Sequence, residues 1–348
     1  MGRYMSFLEK YESAPDYDVP EYHVLALSGG GYRGLYTATI LNQLESLLGR
    51  PLANHFDLIC GTSAGGLLAL GLAAEVPAEQ LQALFEVHGK KIFGNRNLLR
   101  RWAGFLCMAK HSSHGLRDLL GQTFGSKTIG DLRHRVLIPT VNYSTGMGQF
   151  FKTPHHPSFE LDHRMSLTDI GLATSAAPTY FPIAQNNRGV YVDGGLVGNA
   201  PGLFGLHEVH QFIAPARKIR VRVLSIGTMT SGATMPYSST LDRGIWQWRE
   251  SLFSLVISAQ ESSVDYMLKQ LLGGDYVSLD EKPTPEQSTD IKKLDKVSVA
   301  ATNTLKDRAN HTFQRSIGEA NFQVFRKHIA PKPAFYHGPN KNSEIPNA

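Results

Sequence analysis

Cysteine is almost absent from this 348-residue chain, which contains only Cys60 and Cys107. Two thiols without a C-x-x-C pair do not form a disulfide framework, and neither they nor the histidines have the spacing of zinc ligands. We interpret the adjacent His155 and His156 as surface or core residues. We therefore expect no bound metal and a reducing, cytoplasmic environment.

Long apolar runs are also missing. The longest, residues 67–74, is far shorter than the roughly 20 residues that a membrane-spanning helix needs. The N-terminus lacks the charged and apolar regions of a signal peptide, so the sequence predicts a soluble protein that is neither inserted nor exported. Residues 1–20 are polar and carry two prolines, and we interpret them as an N-terminal arm.

Charge of one sign is not abundant either. The 35 Lys and Arg residues only slightly exceed the 30 Asp and Glu residues, and the isoelectric point is near 9.1. This small excess is a mild bias towards anionic partners such as membranes or nucleic acid, and alone it decides nothing. We expect neither DNA nor RNA as a partner.

Predicted strands and helices alternate along the sequence. β-Forming residues predict strands at 22–27, 56–60, 135–141, 190–193 and 219–226. Apolar residues at helical spacing predict helices at 35–48, 67–74, 77–87, 167–173 and 251–272. This alternation is typical of an α/β fold with a largely parallel sheet. Beyond a polar stretch at 280–290, we expect a C-terminal helix around 304–328 and a loose tail at 331–348.

Glycine-rich segments follow three of these strands. They are Ser28-Gly29-Gly30-Gly31, Gly61-Thr62-Ser63 and Asp193-Gly194-Gly195. Parallel sheets bind their ligands at the carboxyl ends of the strands. We therefore expect the three segments to meet at one edge of the sheet and to form the functional site.

The second segment extends to a pentapeptide, Gly61-Thr62-Ser63-Ala64-Gly65, with the G-x-S-x-G pattern. A serine hydroxyl is a poor nucleophile, so it must be exposed in a strained strand-to-helix turn near a base. Gly61 and Gly65 permit such a turn, and here an apolar strand precedes it and an apolar helix follows it. We predict that Ser63 is the nucleophile of an acyl-hydrolase.

The first segment fits two functions. Backbone N–H groups of Gly29, Gly30 and Gly31 can stabilise the oxyanion of an acyl transfer, and Arg33 can orient this loop, meet an anionic headgroup or cap the surface. The pattern G-x-G-x-x-G at 29–34 also matches the dinucleotide-binding fingerprint. That function requires an acidic residue at the end of the second strand. Asp57 lies at its start, so we favour the hydrolase.

The residues alone leave the general base open. In α/β-hydrolases the base is a late histidine, and the candidates are His207, His210, His311 and His328. None of them follows a glycine-rich strand end, but Asp193 lies at one. A carboxylate becomes a base when burial raises its pKa, although an Asp-Gly-Gly motif by itself is more typical of a plain turn.

Four motifs, in this order, resemble those of the patatin-like phospholipases: GGGYRG at 29–34, GTSAG at 61–65, SAAPTYFP at 175–182 and DGGLVGNAP at 193–201. The resemblance implies a three-layer α/β/α sandwich around a mainly parallel sheet, with a C-terminal helical extension, in a domain of residues 21–330. It also implies that acyl esters of membrane glycerophospholipids are hydrolysed without a metal. Ser63 would be the nucleophile, Asp193 the general base and residues 29–31 the oxyanion hole.

One position departs from the pattern of the family. Relatives often have glycine after the threonine of the strand end Gly227-Thr228, where this chain has Met229. This difference affects the shape of the loop, and we do not infer a loss of activity from it.

Within the family, the short chain and its C-terminal extension are similar to the bacterial phospholipase effectors of anti-phage CBASS systems. A cyclic dinucleotide such as cGAMP activates those enzymes. The likeness therefore implies an allosteric cyclic dinucleotide rather than a cofactor, action at the inner face of the membrane, and the option of a homo-oligomer. No residue pattern identifies a nucleotide pocket.

Residues 90–110 mix basic and bulky apolar side chains, among them Arg100, Arg101 and Trp102. Such a mixture is typical of a surface that contacts a bilayer. One hypothesis is a mobile lid or membrane-contact element over Ser63. An ordinary pair of amphipathic helices packed on the core explains the pattern equally well.

Overall fold

The computed structural model describes residues 19–93, 109–215, 218–230, 242 and 245–342. Most of the proposed lid at 90–110, including Arg100, Arg101 and Trp102, lies outside the described residues. The N-terminal arm is described only for Val19 and Pro20.

The described residues contain eight strands that form one mixed sheet. They are β1 (Glu21–Leu27), β2 (Leu58–Gly61), β3 (Val136–Asn142), β4 (Met147–Lys152), β5 (Ala184–Asn186), β6 (Gly189–Asp193), β7 (Arg220–Ile226) and β8 (Tyr276–Leu279). The order is β5-β6-β3-β2-β1-β7-β8, and β4 pairs with β3. The run β3-β2-β1-β7-β8 is parallel, whereas β4 and β6 run antiparallel to β3.

Strand β1 lies in the middle of the sheet and is buried on both faces. Leu25 and Leu27 belong to one apolar core, and Val24 and Ala26 belong to a second one. Alternate residues of a strand point to opposite faces, so the two cores lie on opposite sides of the sheet. A parallel strand buried in this way has a nearly continuous apolar sequence, which is what segment 22–27 shows.

Helices cover both faces. They are α1 (Gly34–Leu48), α2 (Ala64–Ala73), α3 (Ala78–Glu86), α4 (Gly89–Phe93), α5 (His114–Phe124), α6 (Leu167–Thr174), α7 (Gly195–Gly198), α8 (Gly202–Glu208), α9 (Ile245–Leu272), α10 (Pro285–Ile291), α11 (Val299–Ser316) and α12 (Ala320–Lys327). Leu35 and Ile40 of α1 pack in the first core, and Leu268 and Leu272 of α9 pack in the second. The three-layer α/β/α sandwich is therefore confirmed.

None of the helices in the described parts of the chain is long and apolar enough to cross a bilayer.

The C-terminal extension differs in detail from the sequence prediction. The single helix expected around 304–328 is two helices, α11 and α12, with Gly318 in the turn between them. Ser298 begins α11 by accepting a hydrogen bond from Ala301 N (3.1 Å). Tyr36 OH of α1 donates to Thr312 Oγ1 of α11 (2.7 Å), which fixes the extension on the first helical layer.

Described residues of the C-terminal tail contact the domain. Phe335 is buried, Tyr336 N donates to the Pro154 carbonyl (2.8 Å), and Asn340 Nδ2 donates to the Leu132 carbonyl (3.0 Å). These contacts belong to the segment 331–348 that the composition predicts to be a loose tail.

The two glycines of the serine pentapeptide permit a close approach between α2 and the sheet. A Cβ atom on Gly65 would lie 2.2 Å from the Leu27 carbonyl oxygen, and one on Gly61 would lie 2.2 Å from the Gly65 carbonyl oxygen. Both obstacles are backbone atoms of central elements, which do not move aside as a flexible side chain does. The helix that follows Ser63 can therefore reach this position only with glycine at both sites.

We expect Gly65→Ala to destabilise the fold by about 3 kcal/mol or more, because its methyl group overlaps the β1 backbone. Urea denaturation of the purified protein measures this change. Gly121→Ala is the matched control, since Gly121 lies in α5 with no atom near its Cβ position. It should stabilise the protein by about 0.5–1 kcal/mol. Equal stability of the two variants would contradict the argument.

Candidate active site

Ser63 lies in the turn between β2 and α2, with φ 52° and ψ −123°. This backbone region favours glycine, and a serine held there stores strain of about 1–3 kcal/mol. Ser63 N donates to Thr174 Oγ1 (3.0 Å), and the Thr174 hydroxyl donates to the Pro139 carbonyl (2.7 Å). The structure thus has the strained strand-to-helix turn that the pentapeptide predicts, and Thr174 holds it in place.

The Ser63 hydroxyl points to a carboxylate. Ser63 Oγ donates to Asp193 Oδ2 over 2.8 Å, and Asp193 Oδ1 accepts from Gly195 N at 2.7 Å. Asp193 ends β6 and is only 2% exposed. Burial raises the pKa of Asp193 to about 7, against the lowering effect of its hydrogen bonds. A carboxylate with this pKa can accept a proton from a hydroxyl near neutral pH.

No late histidine lies in the described site. The Ser63 hydroxyl donates to Asp193, and two of the candidate histidines contact other carboxylates. His311 lies beside Glu281 (3.3 Å), and His328 Nε2 lies 2.8 Å from Asp57 Oδ2. His207 is exposed and His210 is half-buried on the segment after α8.

Asp57 is also remote from the glycine loop. It precedes β2, at the other end of that strand from Ser63, and it is buried. Its Oδ2 atom accepts from His23 N (2.8 Å) and contacts His328. Asp57 therefore does not lie where a dinucleotide fold needs its ribose-binding carboxylate. The alternative of a dinucleotide site thus has no support from Asp57.

The loop that contains Gly29 and Gly30 is held by side chains from two other segments. Asn199 Nδ2 (2.9 Å) and Thr228 Oγ1 (3.1 Å) both donate to the Gly29 carbonyl. A Cβ atom would lie 2.4 Å from Asn199 Oδ1 at Gly29, and 2.4 Å from Thr228 Oγ1 at Gly30. A trans peptide is planar, so the Gly30 N–H points away from the two donors that hold the Gly29 carbonyl.

Gly31 contacts the C-terminal part of the chain. Its φ is +57°, which favours glycine, and a Cβ atom would lie 2.4 Å from the Leu294 carbonyl oxygen. The same oxygen accepts from Tyr32 N (2.7 Å). The neighbouring Asp295 carboxylate pairs with Lys110 (2.8 Å). The extension beyond β8 thus supports the glycine loop directly.

Arg33 is buried and does not cap the surface. Its Nη2 atom donates to Thr230 Oγ1 at 3.4 Å, which is a long hydrogen bond. Burial lowers the pKa of Arg33, while Glu261 and Asp280 favour its charged form. Arg33 therefore lies behind the glycine loop, among carboxylates, and not in the wall of the cavity described below.

Helix α9 holds the same loop from outside through Asn199. Glu261 Oε1 accepts from Asn199 Nδ2 (2.6 Å), and Gln260 Oε1 accepts from Asn199 N (3.1 Å). Gln260 Nε2 in turn donates to the Leu196 carbonyl (3.1 Å). Burial and the nearby Asp280 raise the pKa of Glu261 to about 7, whereas Arg33 lowers it.

An apolar cavity opens beside Ser63, and its empty space is about 910 Å³ when the part open to solvent is included. Gly30, Gly31, Asp193 and Asn199 are among the residues that line it. Its wall is built from aliphatic and aromatic side chains of several helices, including Leu67, Leu68, Leu81, Leu84, Phe85, Ile92, Phe93, Leu116, Leu119, Leu120, Phe124, Phe253, Ile257 and Leu294. A cavity with this apolar lining suits a long hydrocarbon chain.

The backbone conformation of Met229 explains why glycine is often found at this position in relatives. Its side chain is fully buried, and its φ is 56°. This left-handed conformation is strained for a methionine and free of strain for glycine. Met229 N donates to Asp280 Oδ1 (2.9 Å), which holds the strained residue in position next to Thr228.

The sequence prediction missed four residues of this site. Thr174 directly precedes the motif at 175–182, and Asn199 lies in the motif at 193–201, so their positions in the sequence could have identified them. Thr228 follows the strand predicted at 219–226. Glu261 has no sequence signal, because it reaches the site from a helix whose spacing indicates only amphipathic packing.

Comparisons with known proteins identify the family. A family model described as patatin-like phospholipase matches residues 25–203. A cGAMP-activated phospholipase of Pseudomonas aeruginosa is 67% identical over 330 residues, covering 95% of this chain and 98% of the relative. One from Vibrio cholerae is 36% identical, covering 86% and 93%. A cUMP-AMP-activated phospholipase of Escherichia coli is 27% identical, covering 83% and 90%. These matches show that the chain belongs to the patatin-like phospholipase family, as its four motifs predict.

Proposed function

We propose that this enzyme hydrolyses acyl esters of membrane glycerophospholipids, with Ser63 as nucleophile and Asp193 as general base. The observation that carries the proposal is the 2.8 Å hydrogen bond from Ser63 Oγ to Asp193 Oδ2 beside an apolar cavity. The cavity accommodates the acyl chain, and the hydrogen-bonded pair supplies the chemistry. Membership of the family supports the same reaction.

In the first half of the reaction, Ser63 Oγ attacks the ester carbonyl carbon while its proton moves to Asp193 Oδ2. The bond between the acyl carbon and the glycerol oxygen then breaks, and the leaving alcohol takes the proton from Asp193. In the second half, water gives a proton to Asp193 and attacks the acyl-serine. The fatty acid leaves, and the proton returns from Asp193 to Ser63 Oγ.

The developing oxyanion needs donors that are already in place. The Gly30 N–H is aimed by the peptide whose carbonyl Asn199 and Thr228 hold, so these side chains are positioning residues. Glu261 acts one step further away, because its carboxylate fixes the amide of Asn199. In this proposal, α9 keeps the oxyanion loop in its active arrangement.

A cyclic dinucleotide is the proposed activator. The relatives from three bacteria are named for activation by cGAMP or cUMP-AMP, and each aligns with more than four fifths of this chain. An activator needs only to favour an active arrangement over an inactive one. A role in anti-phage defence at the inner face of the membrane, and self-association, belong to the same proposal.

We expect Ser63→Ala and Asp193→Asn each to abolish fatty-acid release from phosphatidylglycerol vesicles, measured with and without cGAMP. Each removes one partner of the hydrogen-bonded pair, and loss of about 10³-fold or more is the usual scale for such groups. Asp307→Asn is the control, because Asp307 is exposed on α11. Full activity in Asp193→Asn, with a native melting temperature, would remove Asp193 from the base role.

The activity should fall as the pH drops below about 7, because the base is the carboxylate form of Asp193 and burial raises its pKa to about 7. We expect kcat/KM to decrease about tenfold per pH unit on the acid side and to be constant above pH 8. The raised pKa also means that ionised Asp193 destabilises the fold as pH rises from about 4 to 7. Asp193→Asn should therefore be more stable than the wild type at pH 8 but not at pH 4.

Glu261→Ala should lower kcat about tenfold and change KM much less, because it frees Asn199 and loosens the oxyanion loop, whereas Glu261 itself does not line the cavity for the acyl chain. Glu261→Gln keeps the acceptor for Asn199 and should recover most of the activity, with a changed pH profile. Gln270→Ala, at an exposed site of the same helix, is the control. An unchanged kcat in Glu261→Ala would refute this positioning role.

A further inference from the structure

A second cleft lies next to the apolar cavity. Its empty space is about 340 Å³ when the part open to solvent is included, and its wall includes Ser113, Arg117 and Gln185. Leu116, Ser175 and Phe181 line both spaces. The two spaces therefore share part of their lining and lie next to each other.

The cleft, unlike the apolar cavity, is lined by a positively charged side chain. It lies at the first turn of α5, where Ser113 is the N-cap residue and makes no side-chain cap hydrogen bond. The N-terminus of a helix carries partial positive charge and favours anions. Arg117, in the same turn, adds a full positive charge.

Arg117 is available to a ligand. Its Nη1 atom lies 3.5 Å from Asp169 Oδ1, and the two side chains are 49% and 33% exposed. An exposed ion pair of this length contributes little stability. The guanidinium can therefore exchange this partner for a phosphoryl group, which it binds with two parallel hydrogen bonds.

Ser175 provides independent evidence for a ligand. The residue is 7% exposed, and its hydroxyl oxygen is buried without a hydrogen-bond partner among the described residues. Buried hydroxyl groups are nearly always paired, because an unpaired one is costly. An oxygen atom of a ligand bound beside Ser175 would supply the missing partner. Ser175 also follows Thr174, which binds the Ser63 backbone, so this partner would lie close to the reacting ester.

We propose that the cleft binds the phosphodiester of the glycerophospholipid while one acyl chain occupies the apolar cavity. Arg117 and the α5 N-terminus meet the negative charge, and Ser175 donates to a phosphoryl oxygen. The proposal rests on the proposed function. In such a lipid the phosphodiester and the ester are attached to the same glycerol, so neighbouring sites for the two groups match the substrate. The cleft would make the enzyme selective for phospholipids over neutral glycerides.

The test compares phosphatidylglycerol with diacylglycerol of the same acyl chains, each in the same mixed micelles, using the full chain with cGAMP present. The ratio of kcat/KM for the two lipids should fall about tenfold in Arg117→Gln and about threefold in Ser175→Ala. Arg133→Gln removes the same charge from a side chain that is 75% exposed at another site, and it should leave the ratio unchanged.

Binding provides a readout that does not depend on hydrolysis. Ser63→Ala protein should bind a dialkyl ether of phosphatidylglycerol more tightly than dialkylglycerol, and adding Arg117→Gln should remove this difference. If the wild type released no fatty acid from either lipid, the proposed function would fail, while this binding difference would still decide the role of the cleft.

Three results would overturn the proposal. One is an equal loss on both lipids in Arg117→Gln, which would indicate a structural role. Another is an unchanged ratio together with weaker activation by cGAMP, which would assign the cleft to the activator. The third is Arg117-dependent binding of inorganic phosphate with an unchanged lipid ratio, which would assign it to a free anion.

Discussion

The hydrogen bond between Ser63 and Asp193 depends on the mixed pairing of one strand. Strand β3 runs parallel to β2 at its start, where Ile59 pairs with Val136, and antiparallel to β6 at its end, where Thr140 pairs with Asp193. This arrangement brings the end of β6 beside the end of β2. The proposed nucleophile and base thus meet because a parallel sheet accepts an antiparallel strand at this position.

The site combines strain with burial. Ser63 occupies a backbone region that favours glycine, and Asp193 is buried with its pKa near 7. Each feature opposes folding. The two glycines of the pentapeptide permit the close backbone packing that surrounds the turn. The apolar cores on both faces of the sheet stabilise the fold sufficiently to maintain these unfavourable groups, which is a common relation between stability and function.

The parts of the site that were predictable from the sequence are those with a local cause. Gly61 and Gly65 flank Ser63 because the backbone approaches so closely there, so the pattern itself indicates the turn. The pairing of Asp193 with Ser63 depends on strand register across the sheet, which no local pattern encodes, and it entered through the resemblance to a family. The same limit applies to the fold. The central strands were evident from their apolar runs, whereas short β5 and β8 and the break at Gly318 depend on tertiary contacts.

Helix α9 joins two functions of the site that sequence patterns treat separately. Phe253 and Ile257 line the apolar cavity, and Glu261 holds Asn199 and through it the glycine loop. These three residues are spaced four apart, so they lie on one face of the helix. A helix behaves as a rigid element over this length, because each turn is hydrogen bonded to the next. Any movement of α9 that changes the shape of the cavity therefore also shifts the carboxylate that fixes Asn199. In the proposed mechanism, this helix links acyl-chain binding to oxyanion stabilisation.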